Sequence, residues 1–153
     1  MTHVRRQIRA RFKEAFDTYL SDTYETYASR KSAINHDPDK VVIDMRIMND
    51  QTRQRETMMM GSANARIHVA SVYVRVQRSA REHQIDDLLD DDEVQIIKAV
   101  DKYEWDDLLE EEPELIQVNF SDDASGGLVL GSMVLRFDVE YRIDRNDPEK
   151  IIA

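Results

Sequence analysis

Four histidines, His3, His36, His68 and His83, are the first residues to weigh for catalysis or metal binding. They stand apart, with no nucleophile or acid at a fixed spacing, so no triad or ligand cluster follows from them. The run Asp86-Asp87-Leu88-Leu89-Asp90-Asp91-Asp92-Glu93 offers the oxygen ligands that Ca²⁺ and Mg²⁺ take, but lacks the alternation and central glycine of an EF-hand loop. On a helix these carboxylates point at several angles, which favours a solvated face over a chelate. Gly126-Gly127 precedes a strand pattern, so it lacks the helix N-terminus that would hold a phosphate and reads as a hairpin turn. The sequence has no His-Glu-x-x-His, no Gly-rich phosphate loop and no serine in a nucleophile elbow. It has no cysteine, which excludes disulfides, thiolate metal sites and thiol nucleophiles. The expectation is a non-enzymatic protein with no catalytic, cofactor-binding or metal residues.

Charge narrows the partners. The net charge of −10 argues against a protein that grips a nucleic-acid backbone, since that binding is driven by Lys and Arg displacing counterions. The charge is unevenly spread. Met1 to Lys31 carries seven basic and four acidic residues, whereas Gln84 to Asp123 carries sixteen acidic residues against Lys98 and Lys102. Part of the surface should therefore be strongly negative. At 153 residues, 41% apolar and 34% charged, the chain can bury a core as one domain over 1–153. No apolar run approaches the roughly 18–20 residues of a membrane span, and the first residues lead into a charged helix, so a soluble protein made without a signal peptide is expected.

These groups must be positioned by the elements that the periodicity predicts. Val4, Ile8, Phe12, Ala15, Phe16, Tyr19 and Leu20 recur at three- and four-residue steps, predicting an amphipathic helix that ends at Ser21-Asp22. Thr23 to Lys31 reads as a short strand or irregular connection, and Asn35-His36-Asp37-Pro38-Asp39 as a turn. A strand follows over Val41 to Met48. The stretch 49–63 breaks its pattern and reads as a long loop or extended hairpin. Within that stretch Arg53, Arg55, Met58, Met59 and Met60 are candidates for a partner or oligomer contact, with core filling the alternative for the adaptable methionines. Ala65 to Gln77 is apolar on both faces, as in a central strand. Ala80 to Tyr103 reads as a second helix with Ile85, Leu88, Leu89, Ile96, Val100 and Tyr103 on one face and its acids on the other. After the acidic stretch Asp106 to Glu112 come a strand over Leu115 to Phe120, in which Ile116, Val118 and Phe120 alternate, and a flexible turn over Ser121 to Gly127. The last strand has the strongest period of two: Met133, Leu135, Phe137, Val139, Tyr141 and Ile143 face one way, until Asp147-Pro148 ends it. The element order gives an α+β class: a mainly antiparallel or mixed sheet of four to five strands with two amphipathic helices packed on one face.

Two regions also resemble a known family. Thr2-His3-Val4-Arg5-Arg6-Gln7-Ile8-Arg9, opening the first helix, is similar to the start of the bacteriophage tail terminator (minor tail protein U-like) proteins. The strand Val118 to Asp122, its turn, and Ser132 to Arg142, finishing in Tyr141-Arg142, resemble that family's last hairpin. The family's Leu-Pro before an early strand is here Asp37-Pro38. The resemblance implies a structural virion protein that forms a hexameric ring on the last ring of tail tube protein. Such a ring stops tube polymerisation, docks a neck or head-completion protein, and lets DNA pass without specific binding. It also implies assembly in the host cytoplasm and no membrane. On that reading Asp86, Asp90, Asp91, Asp106, Asp107 and Glu110 line the channel, where negative charge would keep DNA from sticking; the alternative is a solubilising outer face. The competing functions are another head–tail junction ring protein and a monomeric, acidic divalent-metal-binding domain.

Overall fold

In chain order the elements are α1 (Val4–Tyr19), β1 (Tyr24–Tyr27), β2 (Val41–Arg53), β3 (Ala65–Ala80), α2 (Glu82–Lys102), β4 (Glu114–Ser125), β5 (Leu128–Asp144) and β6 (Asp147–Ile151). They come from a computed structural model that describes residues 3–28, 39–53, 65–125, 128–144 and 147–151. The strands form one mixed sheet of order β1-β2-β3-β5-β4, with β6 pairing the end of β5. Only β1–β2 is parallel; the other pairs are antiparallel. The class is α+β with both helices against one face, and the described residues hold six strands rather than four to five. The additions are β1, left open in the sequence as strand or connection, and β6, where the chain returns after Asp147 instead of ending its strand structure.

The period-two residues of β5 are buried throughout, from Met133 to Ile143. They lie opposite Val72, Val74 and Val76 of β3, which in turn oppose Ile47, Met45 and Ile43 of β2. This makes an apolar row across three strands, and α1 and α2 cover it. α1 contributes Val4, Ile8, Phe12, Ala15 and Phe16, whereas Tyr19 stays exposed. Phe12 packs its ring 4.7 Å from Trp105 and 5.8 Å from Phe137, joining helix, connection and sheet. The Trp105 indole N–H donates to the Val100 carbonyl at 2.9 Å, so this large side chain is buried without an unpaired polar atom. Gly131 lets α2 sit close to the sheet: a Cβ there would stand 2.6 Å from Ile85 Cδ1 and Cγ1.

Two bulges overturn the simple alternation read from the sequence. The β2–β3 register shifts between Ile47 and Asn49, so that Met48 is left over and exposed. Beyond it the even residues of β2 turn toward the helices, and the strand runs on through Asn49 to Arg53 against β3, as the extended-hairpin alternative has it for that part of 49–63; residues 54–63 lie outside the described residues. The second shift lies between Leu115 and Gln117 in β4. Ile116 is the extra residue, so it is exposed while Leu115 and Val118 pack on the core; Phe120 shares the face of Val118, opposite Met133, but is left exposed. Ser121 to Ser125, expected as a turn, continues β4 against β5.

Candidate functional site

Among the described residues, the features that remain after the core is accounted for lie at the two ends of the sheet. At the β4 end, α2 begins immediately after β3, and its first turns lie over the start of β5. Leu89 points down toward Gly131, while Asp86, Asp87, Asp90 and Asp91 are exposed. Asp86, Asp90 and Phe120 line a shallow hollow of about 210 Å³, and Asp122 and Ser121 of β4 extend it. Phe120 is 54% exposed and Ile116 43%, both on a strand whose outer edge has no partner strand among the described residues. An unpaired edge carrying exposed large apolar residues is a template for association. The carboxylates beside it have no cationic partner among the described residues.

The second acidic run lies elsewhere. Asp106 is exposed; Asp107 takes two hydrogen bonds from the Arg11 guanidinium, at 2.7 and 2.9 Å, which hold its carboxyl below the usual aspartate value. Glu110 pairs with Arg142 at 3.0 Å, and its backbone N–H donates to the Glu140 carbonyl. Seven residue steps of β5, from Met133 to Glu140, separate this region from Phe120, about 23 Å along the strand. The structure therefore does not gather the six acids into one site: Asp86, Asp90 and Asp91 stay together, and Asp107 and Glu110 are tied into ion pairs. A further hollow of about 180 Å³ is lined by Glu111, Glu112, Glu114, Asp138 and Glu140. There Asp138 already accepts from Ser71 and Arg136. Among the described residues no group of three or more His, Asp or Glu is placed to hold a metal ion. Of the other candidates, Arg53 ends β2 opposite Ile67, while Arg55, Met58, Met59 and Met60 lie outside the described residues.

Two polar clusters were not legible as sites in the sequence. In the first, Asp92 is 1% exposed on the packed face of α2 and accepts from Arg78 at 2.9 Å on both oxygens and from the Tyr24 hydroxyl at 2.7 Å. Burial pushes its carboxyl above the ordinary aspartate value, against the opposing pull of Tyr24 and Arg78. Its spacing gave a signal, since Asp92 falls three residues after Leu89 and four before Ile96, on the apolar stripe and not on the acidic face. In the second, the bulge at Met48 turns Asp50 toward the helices, where it meets His68 Nδ1 at 2.8 Å and accepts from the Tyr141 hydroxyl. Arg5 of α1 lies 3.8 Å away. Burial first, and donation to Asp50 second, push the Tyr141 hydroxyl up. The His68 ring stacks on Tyr141 at 5.2 Å, which closes this end of the core. No spacing could reveal it, because His68 and Tyr141 are neighbours only through the β3–β5 register.

No known protein-family model matches the chain, and no curated protein matches it significantly. What is established is the α+β unit itself, a six-stranded mixed sheet with two helices on one face. No helix among the described residues is long and apolar enough to cross a membrane.

Proposed function

We propose that the protein is a structural subunit of a bacteriophage tail that works by assembling into a ring, capping the tail tube and presenting a surface to the neck or head. The observation that supports this most is the outer edge of β4, where Ile116 and Phe120 are exposed and Phe120 stands beside carboxylates that have no cationic partner among the described residues. A single subunit gains nothing from leaving such residues in water, because burying a side chain of this size is worth about 1.5–3 kcal/mol. An interface that covers the edge recovers that energy. The resemblance at the first helix and the last hairpin points the same way, and under this reading the chain performs no catalysis. Asp86, Asp90 and Asp91 belong to assembly or to a channel wall, and the paired Asp107 and Glu110 to the fold.

The test is polymerisation of a candidate tail tube protein with and without this chain, followed by negative-stain microscopy and light scattering. Rings of this protein, and tubes that stop at a cap on one end, are the expected result. Rings that leave tube growth unchanged would move the function to another head–tail junction ring. A chain that stays monomeric at high concentration and ignores tubes overturns the reading.

A further inference from the structure

The start of α1 is built against its own stability. Arg5 and Arg9 are one helical turn apart, Arg6 and Arg9 nearly so, and like charges at these spacings repel. They also occupy the end of the helix whose dipole is positive, with no acid in the first turn. Arg5 meets one carboxylate, Asp50 at 3.8 Å, and the His3 ring nitrogen Nε2 at 3.3 Å, and Arg6 and Arg9 have no carboxylate partner among the described residues. Partial burial first, and then the charges of Arg6 and Arg5, lower the Arg9 pKa, as crowding without compensation must. The other end of the molecule has the opposite frustration: Asp86, Asp87, Asp90 and Asp91 crowd the start of α2 beside the uncovered ring of Phe120.

The two patches cannot neutralise each other within one chain. Arg5 stands at the level of His68 on the sheet, through Asp50. Phe120 pairs with Met133 opposite Val76, eight residues further along β3, or about 26 Å. We infer that the corner formed by Asp86, Asp90, Asp122 and Phe120 receives the Arg5, Arg6 and Arg9 face of a second copy of this chain. The chemistry fits on both sides. Guanidinium groups fork onto carboxylates and stack on an aromatic face, so Phe120 and its acids suit arginine as a combined site. Because two different patches meet, the contact is head-to-tail, and repetition of such a contact closes a ring or continues as a filament. The inference rests on the assembly proposed above and names the surfaces that would make it.

Sedimentation of the full chain at high concentration, in about 50 and 500 mM salt, reads the contact directly. Charged pairs at an exposed interface weaken over that range, where the screening length falls from about 14 to about 4 Å. The double variants Asp86→Arg/Asp90→Arg and Arg6→Glu/Arg9→Glu should each weaken self-association at least tenfold. Mixed together they should restore it, because each supplies the complement of the other's reversed patch. All four positions lie on helix surfaces, and circular dichroism checks each fold. As a second measurement, Arg6→Lys/Arg9→Lys treated with a zero-length carbodiimide, as a mixture of isotope-labelled and unlabelled chains, should give cross-links from position 6 or 9 to Asp86, Asp90 or Asp122 that join the two kinds of chain. If wild type assembles but the reversed variants assemble equally well and no such cross-link forms, this contact is wrong while the ring reading stands. Arg-dependent retention of duplex DNA by a protein that stays monomeric would overturn the contact in favour of a nucleic-acid surface. If wild type neither self-associates nor caps tubes, both fall.

Discussion

Replacing Arg78 with methionine should cost far more than replacing Asp92 with asparagine, although both changes remove the same ion pair. Arg78 donates to both Asp92 oxygens at 2.9 Å, and its side chain is 15% exposed against 1% for Asp92. Arg78→Met keeps most of the aliphatic stem but leaves a carboxylate in the interior with only the Tyr24 hydroxyl for compensation. Breaking a buried pair in this way costs about 3–5 kcal/mol. Asp92→Asn instead leaves a guanidinium with access to water and an amide that still accepts from Tyr24, so about 1 kcal/mol is expected, near one net hydrogen bond. At about 2–4 °C per kcal/mol for a chain of this size, the melting temperature should drop by about 6–20 °C in the first case and 2–4 °C in the second. The pH dependence has a definite sign. Because burial raises the folded Asp92 value above the unfolded one, the folded state holds its proton more firmly between the two, and this group's contribution to stability declines as pH rises through that window. Arg78→Met should raise that value further and steepen the decline, and adding Asp92→Asn should abolish the extra slope and recover most of the stability. Denaturant unfolding of the four proteins from pH 4 to 8 measures all of this. Equal costs for the two single variants, or a double variant no more stable than Arg78→Met, would refute the assignment of Asp92 as the costly partner.

Other substitutions probe the packing and the edge. Gly131→Ala should destabilise by about 1–3 kcal/mol through the clash with Ile85, and its cost should be non-additive with Ile85→Ala, which removes both carbons it strikes; chemical denaturation of the double-variant cycle checks this. Phe12→Ala should cost about 3–5 kcal/mol and shift the emission of Trp105, the sole tryptophan, to the red, so one fluorescence titration reads both effects. Phe120→Ser should leave thermal stability within about 0.5 kcal/mol of wild type, as for an exposed position, while lowering the mass observed by light scattering if the edge is an interface.

Much of the fold could be read because its strongest elements are amphipathic. α1 and β5 each bury one face, and a single period describes them from end to end. The bulges could not be read. Around Met48 and Ile116 the apolar residues change face in mid-strand, and a fixed-period reading takes that change as an ending at Met48 and as false alternation between Ile116 and Val118. β1 pairs with β2 through four residues, too few to hold a pattern, and β6 begins in the same Asp147-Pro148 that marks a break. For the candidate site, exposure of Asp86, Asp90 and Asp91 followed from their place on α2. Engagement of Asp107 and Glu110 did not, since Arg11 and Arg142 reach them only through tertiary structure. Asp92 was grouped with its acidic neighbours by composition although its helical phase placed it inside.

The pairing of β5 with β3 has a consequence for biosynthesis. Its partners lie from 49 residues apart in sequence, Ala80 with Val129, to 79 apart, Ala65 with Asp144. Contacts of that span close slowly, and on the ribosome they cannot close until β5 has emerged. Until then β3 has a bare flank and Phe12 lacks Phe137. The nascent chain is therefore most prone to aggregate in the interval between the emergence of β3 and that of β5. The same order of events sets a checkpoint: among the described residues β4 pairs with β5 alone, so its outer edge takes shape only after β5 has joined the sheet, and any contact proposed for that edge must wait for it.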